Sequence, residues 1–313
     1  MTAFYVALIF IPPHLFAQLR ENRALQESYG RLKLVENLEM RTARFGFGFV
    51  HHGNQIFISN GSGIENSHKR DLEIYDIETD TWHAPDLFLH PKRYSSLEIV
   101  DNKLYVFNGS FGYSMNDDLE IVDIESNTIS VEKGRPSAAS QAGSATLSGK
   151  IYSFGGSYDK NHFSDHFYKY NPKSKKWIEL ASMPEQKETR GVFIDGILYT
   201  VGGFNGEMSN KIHTYDPETN EWKLFANLPY GLSANNLAKN ENTIWIVGDY
   251  VNLSFMASLN VVTKKFTVYE SESFIGRRHA GVVCHNNRLI VFGGNTNSKT
   301  LSSLRSMQIF EIP

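Results

Sequence analysis

The stretch Lys150-Ile-Tyr-Ser-Phe-Gly-Gly156, followed by Tyr170-Asn-Pro-Lys-Ser-Lys-Lys-Trp177, decides the fold. The first part is a short apolar and aromatic run stopped by two glycines, which is how a strand ended by a tight turn is written. The second sets a tryptophan seven positions after a tyrosine, with asparagine, proline and serine between them to reverse the chain. Ile197-Leu-Tyr-Thr-Val-Gly-Gly203 and Tyr215-Asp-Pro-Glu-Thr-Asn-Glu-Trp222 repeat the pattern. Outward from these two, Asn60-Gly61, Asn108-Gly109, Gly248-Asp249 and Gly293-Gly294 close similar runs, spaced 45 to 48 residues apart. The seven-residue spacing recurs in Tyr75/Trp82, Val122/Ile129 and Leu259/Phe266.

Each unit is therefore expected to be a four-stranded antiparallel meander. Its second strand is apolar on both faces, so one sheet cannot stand alone, and radial packing gives every sheet a neighbour on each side. The glycines and aromatic residues of the repeat are assigned to structure by that logic. The sixth unit runs through Ser306-Met-Gln-Ile-Phe-Glu-Ile312 and lacks an outer strand. Arg31-Leu-Lys-Leu-Val-Glu-Asn-Leu38 parallels the outer strands Lys176-Trp-Ile-Glu-Leu-Ala-Ser-Met183 and Glu221-Trp-Lys-Leu-Phe-Ala-Asn-Leu228. Residues 31–36 are thus predicted to complete the last sheet and close a ring, hiding two sheet edges.

The doublet and the Tyr-to-Trp spacing resemble the Kelch repeat, over residues 31–313. Units one and two carry Asn-Gly in place of Gly-Gly, and unit five departs furthest, with Asp249 and Phe266. The resemblance implies an all-β, six-bladed Kelch β-propeller with no BTB domain. Blades are expected at about 41–85, 91–132, 138–180, 187–225, 232–269 and 276–313. It also implies a non-catalytic module that binds a protein or a glycan on one rim.

Composition narrows the partners. Lysine and arginine number 31 against 34 acidic residues, for a net charge of −3, which leaves no positive excess for nucleic acid. The single cysteine, Cys284, forms no internal disulfide and supports no thiolate metal cluster. Residues 1–17, apolar and ending at Ala17, are read as a signal peptide, with 18–30 leading to the propeller. No membrane span is expected, because Pro12-Pro13 interrupts a run too short to cross. The chain is expected to be monomeric, and secreted or periplasmic if the leader is removed.

Motifs for catalysis and cofactors are missing, and no cofactor is expected. There is no nucleophile elbow, zinc-protease motif or EF-hand loop. Gly143-Ser-Ala-Thr-Leu-Ser-Gly149-Lys150 has the wrong spacing for a phosphate loop and falls where other units turn a hairpin. His162 and His166 lie in a loop, without a helix face to bring them together. Copper radical oxidases resembling galactose oxidase share the propeller, but Cys284 sits in a first strand and no separate ligand-bearing domain is expected. The alternative to a binding module is an enzyme resembling the bacterial Kelch-type sialic acid epimerases, with arginine on the sugar carboxylate and carboxylates or histidine moving the proton.

The predicted binding surface combines loops leading into the first strands with loops that follow the glycines. Arg44, Arg93, Arg190 and Arg278 lie in the first set, as a cationic channel mouth or as donors to loop carbonyls between blades. Phe111, Tyr113, Tyr158, Phe204, Asn205, Tyr250 and Asn295 lie in the second, where aromatic residues and amides suit a binding rim.

Overall fold

The computed structural model describes residues 24–63, 67–296 and 302–313, and the proposed leader at 1–17 lies outside them. Six antiparallel sheets radiate from a common axis. Blade three shows the unit: Gly143–Leu147 lies innermost, then Lys150–Phe154, Phe167–Asn171 and Lys176–Glu179 outermost. Tyr170 stands opposite Trp177 in register, with ring centroids 5.0 Å apart. Tyr75/Trp82 and Tyr215/Trp222 repeat the pair at 4.8 and 5.1 Å. The Trp222 indole N–H also donates to the Ala181 carbonyl at 2.9 Å, tying blade four to the end of blade three.

The apolar core is divided, with one buried cluster at each junction between blades. Tyr152, Phe154 and Phe167 of blade three meet Phe193, Leu198 and Tyr215 of blade four. Ile290, Phe292 and Ile309 of blade six meet Phe47, Ile56 and Tyr75 of blade one. Second strands are apolar on both faces because each face belongs to a different junction, as the repeat demanded.

The ring closes through the N-terminal segment. Lys33–Glu39 pairs antiparallel with Ser306–Glu311 and is the outer strand of blade six. Just before it, Glu27–Arg31 adds a fifth strand to blade five, parallel to Phe266–Glu270, an addition the sequence reading did not contain. Upstream of that, Leu25 N–H donates to the Asn227 carbonyl of blade four at 2.8 Å. Residues 24–39 thus strap three blades in succession. Leu25 packs on the junction of blades four and five, Leu32 and Leu34 on that of five and six, and Leu38 on that of six and one.

The glycine doublets join blades through the backbone. Gly156 N–H donates to the Lys187 carbonyl of the next blade at 2.9 Å, and Gly203 N–H to that of Leu232 at 2.8 Å. At Gly203 φ is +122°, and a Cβ would stand 2.2 Å from the Glu188 carbonyl, so only glycine fits. Blade five, with Asp249 in that place, uses the side chain within the blade: its carboxylate accepts the Ser233 N–H at 2.9 Å and that of Val251 at 3.0 Å.

Candidate functional site

The loops leading into the innermost strands form the mouth of the axial channel. Five of the six blades place a residue with left-handed backbone at the same point: Gly46, Tyr94, Gln141, Ala234 and His279, with φ between 51° and 57°. Left-handed backbone is unusual for bulky side chains and costs on the order of 1 kcal/mol or more at each such residue. Bonds between blades hold it here: His279 N–H donates to Ala234 O at 2.9 Å, Gly46 N–H to His279 O at 3.3 Å, and Tyr94 N–H to Gly46 O at 2.5 Å.

Blade four breaks the series. Its innermost strand, Glu188–Ile194, has a bulge between Glu188 and Arg190. Arg190 fills the gap, donating to Gln141 O and Thr189 O at 2.9 Å and to Asn236 Oδ1 at 3.1 Å, so its guanidinium spans blades three to five.

Three arginines gather at this mouth. The Tyr94 hydroxyl lies in the joint field of Arg93, Glu188, Arg278 and Arg190, and burial is the main cause of its raised pKa. His279 feels Arg278 and Arg190, and burial together with those charges holds its imidazole down to about 3, so it stays neutral. Arg278 stacks on the Tyr250 ring at 4.0 Å and Arg93 on Tyr94 at 5.6 Å. The Nε atoms of both are buried without a hydrogen-bond partner, and neither arginine has an ion pair among the described residues. Glu188 is the mouth's carboxylate, accepting from Ser157 Oγ at 2.6 Å and from Gln141 Nε2 at 2.7 Å.

Arg44 is placed elsewhere, and its assignment to the mouth is corrected. It is fully buried within blade one, donating to Asn60 O at 3.0 Å and pairing with Asp71 at 2.8 Å and Glu73 at 2.9 Å. It lies one residue farther from its glycine than Arg93 and Arg278 do from theirs, and on extended backbone one step turns a side chain to the opposite face. Its counterparts are Lys92, Arg135, Lys187 and Arg277, each buried at the foot of its own blade. Arg135 and Arg277 donate to the glycine carbonyls of Gly155 and Gly293 at 3.2 and 3.1 Å. Sequence reading missed these cations, although Lys92 and Arg277 stand 17 residues before the second residue of their doublets, as Arg44 does.

The rim residues divide. Phe111, Tyr113 and Tyr250 are exposed, with Tyr113 at the tip of a small hairpin, Ser110–Phe111 with Ser114–Met115. Asn205 is exposed, and it lines a groove of about 780 Å³ between blades three and four together with Tyr158 and Phe163. Phe204 packs edge-on against Phe163, and the Tyr158 hydroxyl turns inward to Ser137 and Ser164. Asn295 is only 1% exposed, locked to Arg278 by a reciprocal pair of backbone bonds, so burial removes it from the rim.

Below the mouth the channel holds a cavity of about 360 Å³. At one level Val50, Ala145, Val192, Ala238 and Val283 face it, and Glu98 replaces the apolar residue in blade two. Burial pushes the Glu98 carboxyl up to about 6 against hydrogen bonds from Ser144 and Thr146. Cys284 is half-buried on the channel wall, and burial raises its thiol to about 12. No cluster of three or more metal-ligating side chains occurs among the described residues; His162 bonds Asp159 and His166 bonds Glu179. No helix among them is long and apolar enough to cross a membrane.

Residues 46–251 match the family model described as the KLHDC2/KLHL20/DRC7 Kelch-repeats domain. The chain belongs to the Kelch-repeat family. The propeller is similar to beta-scruin of Limulus polyphemus, 24% identical over 76% of this chain and 28% of that protein. It is also similar to Kelch-like protein 41b of Danio rerio, 27% identical over 63% of this chain and 34% of the relative. Human Kelch domain-containing protein 10 is 27% identical over 58% and 47%, respectively. The Kelch propeller thus spans less than half the length of these relatives.

Proposed function

We propose that this Kelch propeller is a protein-binding module that holds an acidic segment of a partner at the channel mouth. One observation carries the reading: among the described residues Arg93, Arg190 and Arg278 share a confined site with one carboxylate, Glu188, and Arg93 and Arg278 form no ion pair. Guanidinium forks favour carboxylates, and an unpaired charge in a half-buried site gains most from a ligand that supplies the partner. Exposed Phe111, Tyr113 and Tyr250 flank the site and suit the apolar part of such a segment.

The test is fluorescence anisotropy with a labelled Glu-Ser repeat peptide and a Gln-Ser control. The acidic peptide is expected to bind, with affinity falling as salt rises, and Arg93→Ala with Arg278→Ala should weaken it at least tenfold while the melting curve holds. Equal binding of both peptides would refute the site. The arginine and carboxylate pairing also suits the alternative, an enzyme acting on an acidic sugar, so sialic acid belongs in the assay as competitor and as substrate. Turnover that depends on Glu188 would favour the enzyme.

A further inference from the structure

Glu188 is out of place in a site that collects cations. Its Oε1 is held by two neutral donors, Ser157 Oγ at 2.6 Å and Gln141 Nε2 at 2.7 Å, both from blade three. No cation stands within ion-pair distance of it among the described residues; the neighbouring Lys187 amine is taken by Glu185 at 2.9 Å. Arg190, on the same strand, acts on it through space while its Nε and Nη1 donate to Asn236, Gln141 and Thr189. Blade two presents Tyr94, and blade six presents His279 and Arg278 beyond it. An ionised Glu188 would therefore repel an incoming carboxylate at the point where the arginines attract it, whereas a protonated one would donate a hydrogen bond to it.

We propose that Glu188 is a proton-gated selector: it admits a partner's carboxylate when it carries a proton and repels that carboxylate when it does not. This rests on the mouth being the acidic-segment site. In the bound state the Glu188 hydroxyl donates to the ligand carboxylate, so above its pKa binding takes up one proton from solvent, which forms the Glu188 O–H bond. The carboxyl is suited to the role near neutrality, because burial pushes it up to about 7 against the Ser157 and Gln141 hydrogen bonds and the Arg190 charge. The other groups at the mouth do not titrate with it: His279 is held down to about 3, and the Tyr94 hydroxyl is raised above its ordinary value.

The experiment measures binding of the labelled Glu-Ser peptide to the full chain from pH 6 to pH 8.5. The peptide carboxylates are ionised throughout that range. Wild type should lose affinity as pH rises, approaching about tenfold per pH unit above the Glu188 pKa, as one-proton linkage requires. Titration calorimetry in two buffers of different ionisation enthalpy should show uptake of close to one proton at the alkaline end. Glu188→Gln should bind at least as tightly as wild type at pH 6, with no pH dependence. Ser157→Ala removes a donor to the ionised form, so its affinity should begin to fall at a higher pH, which keeps the test valid if the glutamine variant folds poorly.

Arginine-dependent binding that is flat with pH would overturn the selector and leave the site standing. A slope that persists in Glu188→Gln, or weaker binding by that variant at pH 8.5, would overturn it as well. Absence of peptide binding by wild type and variant at every pH would overturn the site and the selector together.

Discussion

Cutting the N-terminal strap in two places should separate its two jobs. Removal through Arg31 deletes the parallel strand on blade five together with Leu25, which is only partly buried. One half-buried leucine and a short edge ladder are worth roughly 1–3 kcal/mol. Removal through Arg41 also deletes Leu32 and Met40, which are 4% and 0% exposed, and the partly buried Leu34 and Leu38. At about 1.5–3 kcal/mol for each full side chain and about half that for the others, the loss is roughly 4–9 kcal/mol. It also opens Met307 and Phe310, both 0% exposed, along an unpaired edge. A domain typically has only about 5–15 kcal/mol in total, so the longer deletion removes most of it. Thermal melting followed by near-ultraviolet circular dichroism should drop by a few degrees for the short cut, at about 2 °C per kcal/mol. For the long cut the cooperative transition should be lost or fall by more than about 10 °C. A long-cut protein melting within two or three degrees of the full chain would refute closure by this strand.

Other outcomes follow from single residues. Gly203→Ala sets a Cβ 2.2 Å from the Glu188 carbonyl at φ +122°, and urea titration should show a loss of about 3 kcal/mol or more. Cys284, its thiol raised to about 12 by burial, should resist iodoacetamide at pH 8 in the folded chain and react promptly in denaturant. His213 is 5% exposed and burial lowers it to about 4. The unfolded imidazole takes a proton below about 6.5 and the folded one does not until about 4, so its contribution is complete above 6.5 and is lost as pH falls between the two. The loss reaches about 3 kcal/mol, and His213→Asn should remove that portion of the acid slope in stability curves.

The ring was legible because a blade repeats its needs: two apolar faces, a doublet for the turn between blades, and a Tyr-to-Trp register. Closure by the N-terminal segment was legible for the same reason, since Leu32, Leu34 and Leu38 copy the pattern of other outer strands. The parallel strand at Glu27–Arg31 was not, because Glu-Ser-Tyr-Gly-Arg shows no alternation and gains its place from an edge offered by blade five. The mouth was half legible. Arg93 and Arg278 stood at matched positions, but Tyr94, Gln141 and His279 owe their role to left-handed backbone that their residue types do not announce. Glu188 went unnoticed because a bulge in blade four, invisible in the sequence, decides where it stands.

The clasp between Lys33–Glu39 and Ser306–Glu311 has a consequence for biosynthesis. Residues 33–39 leave the ribosome long before the strand they must join, so a nascent chain carries an unmatched ribbon while five blades accumulate behind it. Until the final segment emerges, that ribbon is free to join a neighbouring chain's last sheet, and crowded translation should favour such swapped pairs.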